Sequence, residues 1–227
     1  TFTVTEQPST MPGVTNDADA DRTVVVSVID NNEGELVASV VADESEQLTF
    51  TNTYKPGSTT TGEGSVNLSG KKDLKGRDLV AGEFTFLITA GDDATSAAIT
   101  DGTVVLPVEN PVNKADGSFS FGDITFDAAG TYMFNISEMI PQQAAETGTY
   151  NGVTYDPTVY TVTIEVKDNT VAGKLEVASV TGIPEGGMVF TNTFTPQGQS
   201  TAVVPSITKN YTGHDLAAGQ GDFAFKV

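Results

Sequence analysis

The sequence predicts an all-β protein, a β-sandwich present in more than one copy. Three observations carry this. Apolar residues alternate with polar ones at period two, and no window sustains the i, i+3, i+4 stripe of an amphipathic helix. The alternating runs are short and bounded by Gly, Asp, Asn and Pro clusters that make turns. Four segments recur along the chain at spacings of 132 to 140 positions.

In chain order, the opening run TFTVTE places Phe2, Val4 and Glu6 on one strand face, because side chains alternate along a strand. Leu48, Phe50, Asn52 and Tyr54 share a face in the same way. KPGSTTTGEGS, rich in Gly, Ser and Thr, reads as a linker over 55–65. Val66 to Leu74 follows as a strand with Val66, Leu68, Gly70, Lys72 and Leu74 inward and Lys71 outward. EFTFLI (83–88), SFSF (118–121), GTYMFNISE (130–138) and YTVTIEV (160–166) are further strands, and the third of them ends its apolar face on Glu138. Asp92 and Asp93, between Gly91 and Ala94, read as a solvated turn. Met188, Phe190, Asn192 and Phe194 share the face of a last strand, TPQGQST reads as a second linker, and Val203, Ile207, Lys209 and Tyr211 repeat the face that holds Lys72.

The repeats set the domain boundaries. FTNTYKPG at Phe50 recurs as FTNTFTPQG at Phe190, which puts Asn52 and Asn192 in register. KDLKGRDLVAGEFTF at Lys72 recurs as KNYTGHDLAAGQGDFAF at Lys209. TFTVTEQP echoes MFNISEMIP, pairing Glu6 with Glu138, and GVTNDADADRTVVVSVIDN echoes GVTYDPTVYTVTIEVKDN. The order Glu, Asn, Lys, Glu, Asn, Lys implies one complete repeat at 66–194. It is preceded by the C-terminal part of another at 1–54 and followed, after a linker at 195–201, by the opening strands of a third at 202–227. A chain that starts on Thr1 in mid-repeat reads as a piece of something longer.

Composition narrows the function. Thirty acidic residues against eleven basic ones give a net charge of −19, so nucleic acid and anionic membrane surfaces would be repelled. The chain has no cysteine, which removes disulfides, thiol catalysis and zinc–thiolate sites together. No stretch approaches the roughly eighteen apolar residues of a membrane-spanning helix.

Lys72, Glu138 and Asn192 are three polar groups aimed by parity into one apolar interior. Each is costly to bury alone, so they are expected to meet. Desolvation pushes a buried lysine toward the neutral amine and a buried glutamate toward the acid. A neutral amine beside a carboxamide is a nucleophile beside an electrophile. An acid hydrogen-bonded to the amide oxygen would polarise it and carry protons to departing ammonia. The expected product is an isopeptide bond between Lys72 and Asn192, assisted by Glu138. Glu6 is the equivalent acid of the first copy, and Asn52 and Lys209 are equivalents without partners in this chain.

The middle repeat resembles the streptococcal-type pilin isopeptide-linkage domains of Gram-positive pili and surface adhesins. The resemblance rests on K-x-L-x-G-R-D-L-x-A-G-E-F-T-F at Lys72, G-T-Y-x-F-x-I-x-E ending at Glu138, Y-D-P-x-x-Y-x-V-x-I-x-V from Tyr155, and F-T-N-T-F around Asn192. It implies an Ig-like sandwich of the collagen-adhesin B type, whose first-strand Lys and last-strand Asn join with help from a central Glu. His214 stands where the middle copy has Arg77, and Asn16 where it has Tyr155. The resemblance further implies an extracellular stalk or pilus-shaft repeat on a bacterial cell wall. It would need no cofactor or metal and have no enzymatic turnover. Its partners would be the neighbouring repeats, other pilin subunits or a host surface, and not nucleic acid or a membrane.

Other chemistry has weaker support. Asp17, Asp19 and Asp21 have the opening spacing of a calcium loop, but Arg22 and Val28 stand where its Gly and Glu belong, and the structure must decide. His214 has no Ser/Asp or metal-ligating partners around it. The competing function is a carbohydrate- or host-protein-binding adhesin module. It calls for an exposed aromatic platform, whereas Trp is absent and the Tyr and Phe residues mostly occupy core parity.

Overall fold

The structure, a computed structural model, describes residues 1–198 together with Thr208, Thr212 and Gly213. The chain divides into two units, Thr1–Thr195 and Pro196–Val227. Lys209 and His214 lie outside the described residues.

The strands from Ser69–Lys75 to Met188–Phe194 form an Ig-like sandwich of two sheets. One has five strands in the order Ser118–Ser120, Ser69–Lys75, Met188–Phe194, Val153–Thr154, Thr149–Tyr150. The other has four, Lys174–Thr181, Val159–Asn169, Gly130–Glu138, Phe86–Ala90. Period-two alternation becomes burial directly. Tyr132, Phe134, Ile136 and Glu138 are buried along one strand, and Val162, Ile164 and Val166 along its neighbour. From the opposite sheet come Phe119, Met188 and Phe190, with Leu68 just ahead of its Ser69–Lys75 strand. Phe86 stacks on Phe119 with ring centroids 3.6 Å apart and tilts against Phe190 at 5.3 Å, so aromatic rings fill the space between the layers.

The first strand pairs with the last. Ser69–Lys75 runs parallel to Met188–Phe194, with Lys72 opposite Phe190 and Leu74 opposite Asn192. Every other pairing between strands of the described residues is antiparallel. The strand begins at Ser69, three residues later than expected, because the chain is only leaving the turn at 61–65, where the Val66 N–H bonds back to the Thr61 carbonyl.

Two local expectations are corrected. Asp93–Thr100 is an α-helix, not a solvated turn: Asp92 is its N-cap and accepts the Thr95 N–H at 2.7 Å. Eight residues make about two turns, too few for a readable stripe, although D-A-T-S-A-A-I-T is rich in helix-forming Ala. The segment 55–65 is not a bare linker. Thr59–Thr60 pairs with Thr125–Phe126 in a three-stranded sheet, Thr59 and Thr61 are buried, and Thr61 accepts the Ile124 N–H.

Residues 1–54 repeat part of the same topology with short strand pairs. Phe2–Thr5 pairs with Asp21–Val24, Val14–Thr15 with Thr53–Tyr54, and Val26–Asp30 with Leu36–Val40. The parity is that of the middle copy, but Phe2 is 63% exposed and Leu48 54%, where their counterparts Phe134 and Met188 are fully buried. Among the described residues no second sheet covers them. Glu6 is half-buried and Asn52 exposed.

Candidate cross-linking site

Three strands place the site. The Gly130–Glu138 strand carries Glu138 at its C-terminal end, opposite Phe86, and the sheet facing it contributes Lys72 and Asn192 from its two parallel central strands. The side chains of Lys72 and Glu138 are wholly inaccessible to solvent, and Asn192 is equally buried. The Phe84 ring lies 4.6 Å from the Lys72 Nζ.

One carboxyl group joins the other two side chains. Lys72 Nζ lies 2.6 Å from Glu138 Oε2, and Asn192 Nδ2 donates to Glu138 Oε1 at 2.6 Å. Among the described residues no buried side-chain polar atom lacks a partner. Burial drives the Lys72 amine below its ordinary range, opposed by its contact with Glu138. Burial likewise raises the Glu138 carboxyl, opposed by Lys72 and Asn192. Both shifts favour the uncharged pair, amine and acid.

The carboxyl lies on the amide nitrogen, which corrects the expectation that it would hold the oxygen. Asn192 Oδ1 instead accepts the main-chain N–H of Asp156 at 2.8 Å. The Asp156 carboxylate in turn accepts the Thr191 N–H at 2.7 Å and the Thr158 N–H at 2.9 Å. Burial alone would raise this carboxyl, but the Thr158 hydroxyl and the two N–H groups outweigh it and hold Asp156 below the usual carboxylate range. Sequence reasoning missed Asp156 as a site residue. Its signal is the Asp shared by GVTYD and GVTND, which matches Asp156 with Asp17.

Glu6 and Asn52 also meet. Asn52 Nδ2 donates to Glu6 Oε1 at 2.7 Å, Asn52 Oδ1 accepts the Asp17 N–H at 2.8 Å, and Asp17 accepts the Thr51 N–H at 2.8 Å. Lys209, the equivalent of Lys72 in the following repeat, lies outside the described residues. The Thr51 N–H, with Arg22 beside it, lowers the Asp17 carboxyl. Asp17 belongs to this arrangement, and among the described residues Asp17, Asp19 and Asp21 form no cluster able to hold a metal ion.

Comparison with known proteins gives a consistent set of likenesses. The chain is similar to the major pilin of Streptococcus pyogenes, at 20% identity and a TM-score of 0.32 over 56% of this chain and 50% of that one. A glutamate-to-alanine variant of that pilin matches at 21% identity and a TM-score of 0.36 over the same shares. A major pilin of another Streptococcus pyogenes serotype matches at 19% and 0.21, covering 85% of this chain and 66% of that one. The chain spans about half the length of the first two. No curated protein matches it. The family model for the Spy0128-like isopeptide containing domain matches residues 1–55 and 68–195, most of the sequence, and the chain belongs to that family.

Proposed function

We propose that residues 66–194 close on themselves through an isopeptide bond between Lys72 and Asn192. The domain would then serve as a covalently locked module in the stalk or pilus shaft of a Gram-positive surface protein. The observation that carries this is the single buried Glu138 carboxyl in contact with both the amine and the carboxamide nitrogen. The neutral Lys72 Nζ attacks Asn192 Cγ, forming the Nζ–Cγ bond. The Cγ–Nδ2 bond breaks, and Nδ2 leaves as ammonia. Glu138 takes one proton from Nζ and delivers one to Nδ2, ending protonated as it began. No water, cofactor or metal enters the balance, and the reaction occurs once per molecule.

Glu6 and Asn52 form the acceptor half of a second such centre, which needs a lysine from a strand outside residues 1–54. The assignment to a cell-surface shaft, with other pilin subunits or a host surface as partners, rests on family membership and on the mechanical sense of joining the first strand to the last. Intact-mass measurement tests the chemistry. The folded chain is expected to weigh one ammonia less than its sequence, and Lys72→Ala or Glu138→Ala to restore the full mass. A full mass in the folded parent chain would refute the cross-link.

A further inference from the structure

We propose that the main-chain N–H of Asp156 is a catalytic group, the donor that stabilises the oxyanion formed when Lys72 attacks Asn192. This rests on the cross-link proposed above. When Nζ adds to Cγ, the carbonyl electron pair moves onto Asn192 Oδ1. The negative charge therefore develops on the one atom of the carboxamide that Glu138 does not touch. The Asp156 N–H already donates to that atom at 2.8 Å, on a fully buried Asn192 side chain, before any charge appears. When ammonia departs the pair returns to the carbonyl, so the donor is unchanged over the reaction.

The rest of Asp156 fixes that N–H. Its carboxylate bonds to the Thr191 N–H, one residue before Asn192, and to the N–H of Thr158, two residues on. A main-chain donor and the strand bearing its acceptor are thus tied together by the same residue. Residues 1–54 build the device a second time, with the Asp17 N–H on Asn52 Oδ1 and the Thr51 N–H on the Asp17 carboxylate, both at 2.8 Å. There the surroundings are exposed, so core packing does not account for the geometry. Two copies with different flanking residues, Tyr155 and Pro157 in one and Asn16 and Ala18 in the other, keep the same pair of bonds.

Charge and geometry make opposite demands on an Asp156 substitution, which gives the test its sign. The Asp156 negative charge favours the protonated Lys72 ammonium. If charge were its whole influence, removing it would free the amine and speed the reaction. If the carboxylate serves to hold the N–H on Oδ1, removing it slows the reaction.

The chain is prepared denatured and unreacted, then refolded, and the loss of one ammonia is followed by mass spectrometry. Two changes are compared with the parent: Asp156→Ala, and replacement of the Tyr155–Asp156 amide by an ester, which deletes the N–H and keeps the carboxylate. The ester is expected to slow bond formation by about 100-fold or more, the usual loss for one oxyanion donor. Asp156→Ala is expected to slow it by a smaller factor. Hydrogen-exchange protection of the Gly130–Glu138 strand, measured on the same samples, establishes that each variant has folded. A folded ester variant reacting within about threefold of the parent, or a faster Asp156→Ala chain, overturns the proposal. If the ester variant does not fold, the Asp156→Ala rate decides alone. A parent chain that never loses ammonia instead overturns the cross-link itself.

Discussion

At the scale of single residues, Lys72 and Glu138 matter because burial moves their proton affinities toward each other, the amine down and the acid up. They titrate as one unit, and the reactive form holds a single exchangeable proton on Glu138 with a neutral Lys72. Taking up a second proton makes Nζ an ammonium without a lone pair. Losing the last leaves Glu138 with nothing to give Nδ2. Bond formation in the refolding chain is therefore expected to be flat across the neutral range and to fall on both the acid and the alkaline side, as read from mass time courses in buffers of different pH. Glu138→Gln keeps the shape and a hydrogen bond but cannot relay a proton, and a loss of about 100-fold or more is expected at every pH. Glu138 was legible in the sequence because it ends a nine-residue strand whose inward positions are Tyr132, Phe134 and Ile136. Asp156 was not. It acts through its main chain, which residue type does not reveal, and only the repeated Asp of the two GVT segments marks it.

At the scale of elements, the parallel pairing of Ser69–Lys75 with Met188–Phe194 brings Lys72 beside the strand of Asn192, and Gly70 permits it. A Cβ at Gly70 would lie 2.5 Å from Phe119 Cζ and 2.7 Å from the Met188 carbonyl oxygen. The first neighbour is a core ring and the second is the main chain of the partner strand, so neither can easily yield. Gly70→Ala is expected to cost about 1–3 kcal/mol, measured by denaturant unfolding in an Asn192→Ala background where no cross-link contributes. It is also expected to slow cross-linking in the otherwise parent chain, because Lys72 lies only two residues further along the displaced strand. The helix Asp93–Thr100 and the paired strand Thr59–Thr60 were the elements least legible in the sequence. One is too short for its period to show. The other has linker composition, and its order comes from Thr125 and Phe126, which lie more than sixty residues away.

At the scale of the whole molecule, the proposed bond closes a loop of 120 residues, from 72 to 192. The chain-entropy treatment used for disulfides gives about 5 kcal/mol of stabilisation for a closure of that size. The mechanical consequence is larger. Tension entering before Lys72 and leaving after Asn192 runs through the amide, and the intervening chain is never extended. In single-molecule pulling across residues 66–194, the parent is expected to show no long extension event. Lys72→Ala is expected to release roughly 400 Å of chain, from about 3.3–3.6 Å per extended residue. An event of that length in the cross-linked parent would show that the load bypasses the bond.

The sequence by itself determined which residues face inward. A period of two is a local property of the extended chain, and it places Lys72, Glu138 and Asn192 with their apolar neighbours before any sheet is known. It also determined that the pattern occurs more than once. Only the tertiary structure decided whether an inward face is covered. Phe2 and Phe134 hold the same register position, yet one is exposed and the other buried, because burial is supplied by a second sheet from distant parts of the chain. The tertiary structure also decided which atom of Asn192 meets Glu138 and which meets Asp156, since hydrogen-bond partners are selected by the packing of three strands against one another.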